Sequence, residues 1–549
     1  MKRVALLAAV AGALVLPATA FAHAALLKTV PQASGTVNTP PSQVELTYSE
    51  AVEPRFAIVS VTDADGAQQT AGAPTRSPAN PDTLVVPLRR LAEGWYLVYW
   101  RVISVDGHPV RGAFTFAVGP NAGPAPQFVI PSISETAATP KLVTARWLTF
   151  FAVMVAIGLA ALRLTFARSA RGLTTAFGLA SALGLVAVPV YFMLATADFA
   201  LRSVFDVGAL VPLVHVSAFG RGYLDLWIVF ALFVGAAAIA IWVDRPDREQ
   251  RSVAEIVSLF GVTLAAASVL LVPGLSGHAG QTSPRGWALL FDWAHLGAGS
   301  VWLGGLVGLL VLWLTDRGSL RSVVPRFSTI ALCSVLVLVA SGTGAALFHL
   351  PTLSSLWQTS YGQALLVKIF LLLAALALAA FNLVRARSRL EEPTVRAIVA
   401  RVGGEALLLT AAVLAAAVLS SLPPPSKALA SVGGASAHVG PGAVDRTVTK
   451  NGYTVTVQVD PNRAAVPNTF TVKIAKGGKP VSGAEVVQTF TMLDMQMGQQ
   501  AYRLTETSPG VYTHAAPALV MVGHWGLGLS ITPPGGQAFD VLFVDKANG

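Results

Sequence analysis

The strongest constraint on this chain is a series of long apolar segments that occupies its middle half. Each is long enough to cross the ~30 Å hydrocarbon core of a bilayer as a helix. The composition agrees, because 54% of residues are hydrophobic, 12% are charged and the mean hydropathy is +0.62, which is more apolar than a soluble protein of this size needs. We predict eight membrane-spanning segments, at 142–164, 173–195, 223–243, 253–275, 287–313, 326–348, 362–384 and 403–422.

The net charge of +10 indicates membrane topology rather than a nucleic-acid partner, because the arginines lie in short loops between apolar segments. The loops after the odd-numbered segments are predicted to be cytoplasmic by the positive-inside rule. They carry Arg163, Arg168, Arg171, Arg245, Arg248, Arg251, Arg317, Arg321, Arg326, Arg385, Arg387, Arg389, Arg396 and Arg401, whereas the opposite loops carry only Arg202, Arg221 and Arg285. The protein is therefore predicted to be a multi-pass plasma-membrane protein with both terminal regions on the extracytoplasmic side.

The first 22 residues have the features of a signal peptide. A basic start is followed by an apolar run and by Ala20-Phe21-Ala22, an A-x-A cleavage site. Cleavage there would make His23 the first residue of the mature chain and would expose an α-amine beside its imidazole. Two nitrogens from one residue favour Cu(II), although a terminal histidine can also be incidental.

Residues 23–119 are predicted to form an antiparallel β-sandwich. Alternating or β-branched runs occur at 44–48, 56–62, 95–102 and 113–118. The linker 120–141 is rich in Gly and Pro. Cys333, the single cysteine, lies in an apolar segment, so an intrachain disulfide is excluded.

A turn between two strands of this domain carries Asp106-Gly107-His108-Pro109. Asp106 and His108, together with His23, supply three nitrogens and a carboxylate oxygen, a set that suits tetragonal Cu(II). With the strand end Tyr48-Ser49-Glu50, these residues resemble the CopC family of copper-binding sandwiches. The resemblance implies that His23, Asp106 and His108 are the Cu(II) ligands. Because 23–119 contain no methionine, a Cu(I) site is not expected there.

The apolar region 142–422 resembles the eight-span CopD family. The matching motifs are Ser276-Gly277-His278-Ala279, Asp292-x-x-His295, Trp302-Leu303-Gly304-Gly305, Arg326-Phe327-Ser328, Ser341-Gly342, and Tyr361-Gly362 followed by Lys368. Ionisable groups within a membrane are costly and usually functional. The candidate copper path is His278, Asp292, His295 and His349. Hydrated side chains that only bridge helices remain the alternative, and Lys368 could equally be structural.

After a second linker, 423–445, residues 446–549 are predicted to form a small β-sandwich that resembles YtkA-like domains. Thioether sulfur selects Cu(I), which makes this domain a candidate Cu(I) site. The candidate ligands are Met492, Met495, Met497, Met521 and His524. Methionine also fills sandwich cores, so packing is the alternative for all of them.

Together these features predict a non-enzymatic protein that binds copper outside the plasma membrane and transports it, with Cu(II) captured by the first domain and passed to the helical domain. Copper ions, the lipid bilayer and an extracytoplasmic copper chaperone are the expected partners. Two alternatives remain open. One is a haem-containing membrane redox protein acting on copper, and the other is a copper-dependent oxidative enzyme.

Overall fold

The computed structural model divides the chain into two compact units, one of helices and one of β-strands. The structure describes residues 26–32, 36–48, 51–103, 109–122, 139–200, 203–205, 208, 214, 218–248, 250–282, 284–350, 353, 355–386, 392–422, 438–439, 444–464, 467–493, 500–516, 518–520 and 523–547. The β unit contains the first and the last domain, and the helical unit contains the region between them. The predicted fold class is confirmed: an N-terminal sandwich, apolar helices in the middle and a C-terminal β-sheet domain.

The first domain is a sandwich of two four-stranded sheets, ordered β1-β3-β6-β5 and β2-β8-β7-β4. The inward-facing alternate residues, such as Val44, Leu46 and Trp100, are almost fully buried, as alternation requires. The predicted strand at 56 begins later, because Pro54–Phe56 forms a 3₁₀ turn. The strands are β1 Leu26–Val30, β2 Thr36–Val37, β3 Gln43–Tyr48, β4 Ile58–Asp63, β5 Thr75–Arg76, β6 Thr83–Pro87, β7 Gly94–Ile103 and β8 Pro109–Val118.

The helical unit has, among the residues described, eight helices long and apolar enough to cross a membrane. They are α1 Pro140–Thr165, α2 Arg171–Ala200, α3 Ala218–Val243, α4 Val253–Ser276, α5 Arg285–Thr315, α6 Arg317–His349, α7 Ser360–Ala386 and α8 Glu392–Leu419. Each predicted segment falls on one of these helices, except that the last, 403–422, runs three residues past the end of α8 at Leu419. Helix α6 begins nine residues before the predicted start at 326. It does so because Asp316 caps it, accepting a hydrogen bond from the Ser319 amide.

A buried ion network lies where α1 and α3 end and α2 and α4 begin, which we call the arginine end. Asp244 accepts from Arg163 Nη1 at 3.1 Å and from Arg168 Nη2 at 2.6 Å. Arg168 also reaches Glu255 at 2.8 Å, and Glu255 forms a capping box with Ser252. The carboxylates are nearly inaccessible, so the network joins the helix ends.

Removing one partner of a buried ion pair leaves the others uncompensated and costs about 3–5 kcal/mol. Asp244→Ala is therefore expected to lower the melting temperature of the detergent-purified protein by several degrees. The matched control is Asp247→Ala, three residues away and exposed, which should melt like wild type. Equal melting of the two variants would contradict a stabilising network.

The last domain pairs two sheets face to face, ordered β10-β11-β12-β17-β16, with β13 on β12, and β15-β14-β18-β19-β9. Its strands β10 and β19 lie outside the strands predicted from the sequence. His438, expected in the linker, lies in β9, which pairs in parallel with β19. The strands are β9 His438–Val439, β10 Val444–Lys450, β11 Tyr453–Asp460, β12 Asn468–Lys476, β13 Lys479–Pro480, β14 Glu485–Met492, β15 Gln500–Arg503, β16 Thr505–Ser508, β17 Val511–Ala516, β18 Gly523–Thr532 and β19 Phe539–Ala547.

Within the β unit, the two sandwiches contact each other along β8. The Ala113 amide donates to the carbonyl of Val520 at 3.1 Å. Ala113 and Leu97, which face away from the core of the first sandwich, are also buried. The central strands β7 and β8 are thus buried on both faces, which is unusual for an antiparallel sheet with a solvated side.

Asp545 is the one fully buried carboxylate among the described residues of the last domain. Burial raises its pKa to about 6, against the lowering effect of the hydrogen bond that Asn462 Nδ2 donates at 2.7 Å. The folded state therefore binds the proton more tightly than the unfolded state. The stability that this proton gives is present at about pH 4 and is lost as the pH rises to about 6.

Asp545→Asn keeps the acceptor for Asn462 and removes the buried charge. It is expected to stabilise the domain at pH 8 by up to about 3 kcal/mol, since one pKa unit is worth about 1.4 kcal/mol, and to have little effect at pH 4. Hydrogen exchange of the β19 amides at both pH values measures this. Asp540→Asn, exposed on the same strand, is the control, and an equal gain at both pH values would show that the charge is not responsible.

Candidate metal sites

Two of the predicted path residues lie together on α5. Asp292 and His295 are three residues apart and so share one helix face. They lie seven and ten residues from the start of α5 at Arg285, or about 10 and 15 Å along the helix. We call this end of the helical unit, where α5 and α7 begin, the histidine end. It is the end opposite to the arginine network.

Both imidazole nitrogens of His295 have a partner. Nε2 lies 3.3 Å from Lys368 Nζ on α7, and Nδ1 lies 3.2 Å from Ser341 Oγ on α6. A lysine ammonium group only donates, so Nε2 must be the acceptor and Nδ1 must carry the hydrogen. The Ser341 hydroxyl donates onward to the carbonyl of Val337 at 2.6 Å, which leaves its oxygen free to accept from Nδ1.

This tautomer leaves the Nε2 lone pair as the one that could bind a metal. The Nε2 lone pair is directed at a cation, and a hydrogen bond at Nδ1 fixes the orientation of the ring, as second-shell partners do in metal sites. Lys368 Nζ occupies the place in which a metal ion would bind His295. With the lysine side chain moved aside, His295 would offer one imidazole ligand to a cation. Within the described part of the chain, no three His, Cys, Asp or Glu side chains are placed to hold a metal ion together.

Two glycines make room for this cluster. A Cβ at Gly342 would lie 3.2 Å from His295 Cε1, and one at Gly274 would lie 2.9 Å from Asp292 Oδ2. The second distance is shorter than real Cβ contacts allow, so a side chain at 274 would displace the Asp292 carboxylate. Asp292 in turn interacts electrostatically with Lys368 and with Tyr361 of α7.

His349 lies at the end of α6, and its nitrogens are also engaged. Nδ1 donates to the Ala345 carbonyl at 2.8 Å, and Nε2 accepts from Thr282 Oγ1 at 3.3 Å. Its ring stacks on Tyr361 at 6.4 Å between centroids. His349 thus holds the end of α6 against the segment before α5, and metal binding would require it to release Thr282. His278 begins the 3₁₀ turn His278–Gln281 in that segment.

The predicted Cu(II) ligands His23, Asp106 and His108 lie outside the described residues, but the strands that lead to them are described. The Ile103–Pro109 pair closes the β7–β8 hairpin around 104–108, and β1 begins at Leu26, opposite Tyr48. The Tyr48 ring meets Trp100 across the core at 5.6 Å. The start of β1, the end of β7 and the start of β8 therefore lie at the same end of the sandwich.

In the last domain, Met492 and His524 lie on opposite faces of one sheet. Met492 pairs with Trp525, so these two share a face, and His524 is the neighbour of Trp525 in β18. Met492 is 2% exposed and packs in the sandwich core. The structure therefore does not bring Met492 and His524 together. Met495, Met497 and Met521 lie outside the described residues.

Several buried ionisable residues of the helical unit were not singled out from the sequence, among them Asp244, Glu255 and Glu405. Glu405 of α8 is 4% exposed, and its Oε1 accepts a hydrogen bond from Trp302 Nε1 of α5 at 2.8 Å. A carboxylate inside the apolar segment 403–422 was the available signal.

Family comparisons match three consecutive regions of the chain. Residues 26–119 match the CopC domain, residues 321–419 match Copper resistance protein D (CopD), and residues 447–529 match the YtkA-like family. The order agrees with the resemblances noted in the sequence.

Individual proteins match over the whole chain or over its first domain. The Copper transport protein CutJ of Bacillus subtilis is 28% identical over 538 residues, 93% of each chain. Protein YobA of Escherichia coli K12 is 35% identical over 99 residues, 18% of this chain and 80% of YobA. A crystal structure of CopC from Methylosinus trichosporium OB3b is 32% identical and covers 18% of this chain and 98% of that one, with a TM-score of 0.17.

Proposed function

The chain belongs to the CopC family and continues into CopD and YtkA-like domains, and we propose on this basis that it binds copper outside the plasma membrane and carries it across. The relatives with descriptive names are copper transport or copper resistance proteins, so we propose transport rather than an enzymatic reaction. The observation that carries the proposal is that the Nε2 lone pair of His295, on the apolar helix α5, is directed at the ammonium group of Lys368.

Capture of Cu(II) is assigned to His23, Asp106 and His108 of the first domain. The common position of the β1 start and the β7–β8 hairpin supports this assignment. His23 is three residues before Leu26, a distance that an extended chain spans in about 10 Å. Three nitrogens and one carboxylate then form a tetragonal Cu(II) site. An extracytoplasmic chaperone would deliver copper there.

Entry into the membrane is assigned to the histidine end. Asp292 and His295 offer a carboxylate and an imidazole about 10–15 Å inside α5, and His278 and His349 lie nearer its start. Arriving copper displaces Lys368 from His295, so that one cation replaces another and the buried site never holds two. By the positive-inside rule, the arginine end of the helical unit faces the cytoplasm. The histidine end, which is opposite, then faces the extracytoplasmic side.

The last domain is proposed as a holding site for Cu(I), through Met495, Met497 and Met521 with His524. Met492 is left out of this set because its thioether is enclosed in the sandwich core. Its role is packing, which is the common role of methionine in such cores.

The amine of His23 can be tested by adding one alanine before it after the same cleavage site. The α-nitrogen of His23 then becomes an amide and loses its lone pair, so Cu(II) affinity of the full-length protein should fall at least 100-fold in competition titrations. An alanine inserted after residue 122, in the linker, is the control and should leave affinity unchanged. Unchanged affinity in the first variant would show that the terminal amine is not a ligand.

The membrane site can be tested with His295→Ala at matched expression. Copper accumulation by cells is expected to fall several-fold, because the cation loses its imidazole ligand. His438→Ala, in the β unit, is the matched control and should accumulate copper like wild type. Normal accumulation with His295→Ala would assign that residue a purely structural role.

A further inference from the structure

Tyr48 carries a buried hydroxyl group in the core of the first sandwich. The residue is 1% exposed, and its Oη has no hydrogen-bond partner among the residues that the structure describes. The positions before it on the same face of β3 are apolar, namely Val44 and Leu46. Phenylalanine would fill this core without an unpaired polar atom, whereas buried polar groups are normally hydrogen-bonded. The hydroxyl of Tyr48 therefore needs a partner from outside the described residues.

Tyr48 lies at the end of the sandwich where β1 begins and β7 ends. It is the last residue of β3 and pairs with Leu26, the first residue of β1, and His23 precedes Leu26 by three residues. Its ring meets Trp100 of β7 edge-on at 5.6 Å, and Trp100 is three residues before Ile103, where the β7–β8 hairpin opens. Three residues of extended chain span about 10 Å. Tyr48 is thus one short step from both segments that carry the proposed Cu(II) ligands.

The chemistry of the ligands decides which of them can pair with this hydroxyl. Burial raises the pKa of the Tyr48 phenol well above its ordinary value, so the phenol keeps its hydrogen and can donate it. A histidine bound to copper through one ring nitrogen keeps a hydrogen on the other, and the α-amine of His23 gives its lone pair to the metal. A carboxylate has two oxygens, so one still accepts when the other binds the ion. Asp106 is therefore the one proposed ligand that can accept from Tyr48.

We propose that Tyr48 is a positioning residue of the Cu(II) site, whose phenol donates a hydrogen bond to the Asp106 carboxylate when copper is bound. The hydrogen bond fixes the carboxylate in the orientation that the metal needs, as second-shell partners do in metal sites. Copper binding in turn gives the buried hydroxyl its partner. This inference rests on the proposed function and deepens its capture step.

The test compares two buried tyrosines of the first domain in the full-length protein. Tyr48→Phe removes the unpaired hydroxyl, and Tyr96→Phe removes one that donates to the Ala92 carbonyl at 2.9 Å. Loss of a second-shell partner lowers metal affinity about 10–100-fold, so Tyr48→Phe is expected to weaken Cu(II) binding at least tenfold in competition titrations. The Cu(II) d–d absorption band should also shift, because the carboxylate changes its orientation. Tyr96→Phe should match wild type in affinity and in the position of the band.

Hydrogen exchange of the β3 and β7 amides without copper separates this role from packing. Tyr48→Phe removes an unpaired polar atom from the core, so protection is expected to equal or exceed that of wild type. Tyr96→Phe loses a hydrogen bond and should exchange faster. Faster exchange in Tyr48→Phe would show that its hydroxyl already has a partner in the metal-free domain, and would overturn the proposal.

Asp106→Ala identifies the acceptor. In that background Tyr48→Phe should have no further effect on Cu(II) affinity, because the two residues act as one pair. Full additivity of the two substitutions would overturn the proposal, as would wild-type affinity of Tyr48→Phe. If Asp106→Ala alone weakens Cu(II) binding and Tyr48→Phe does not, the proposed function stands and only the role of Tyr48 is lost. A wild-type protein that binds no Cu(II) would remove both.

Discussion

The structure depends on one constraint, which is that an ionisable side chain in the hydrocarbon region must find its partners within the protein. At the arginine end, Asp244 and Glu255 are satisfied by Arg163 and Arg168. In that network Asp244 is paired with both arginines, Arg168 is shared with Glu255, and the helices are joined. At the histidine end, Lys368 contacts His295 and also interacts electrostatically with Asp292. The first set of charges joins helices, and the second is the one at which we propose that a different cation binds.

Helix α5 meets α1 through small residues. Gly158 of α1 and Gly304 of α5 are so close that a Cβ on either would collide with backbone. Close helix contact of this kind is typical of membrane bundles, where small residues replace the hydrophobic effect as the basis of packing. The same closeness lets side chains from α1, α6, α7 and α8 reach one face of α5.

The β unit packs by burying the apolar faces of its sheets rather than by close contact of small residues. Its strands alternate, and each sandwich buries one face of each sheet, but β7 and β8 are buried on both because the last domain lies along β8. The candidate Cu(II) hairpin lies between those two strands. Residues on β7 and β8 that face away from the core, such as Leu97 and Ala113, are apolar and buried.

The sequence by itself determined the number of spanning helices, the two β domains and the family. Hydropathy and strand alternation are local properties, so they can be identified without knowing which elements pack together. It also placed Asp292 and His295 on one face, since a spacing of three fixes that in any helix. Only the tertiary structure decided which helices surround that face, so that Lys368 meets His295 and Glu405 meets Trp302. It also decided that Met492 and His524 lie on opposite faces of a sheet in the last domain. The two helix contacts join residues 73 and 103 positions apart, and such pairings depend on how elements pack together, which no local pattern encodes.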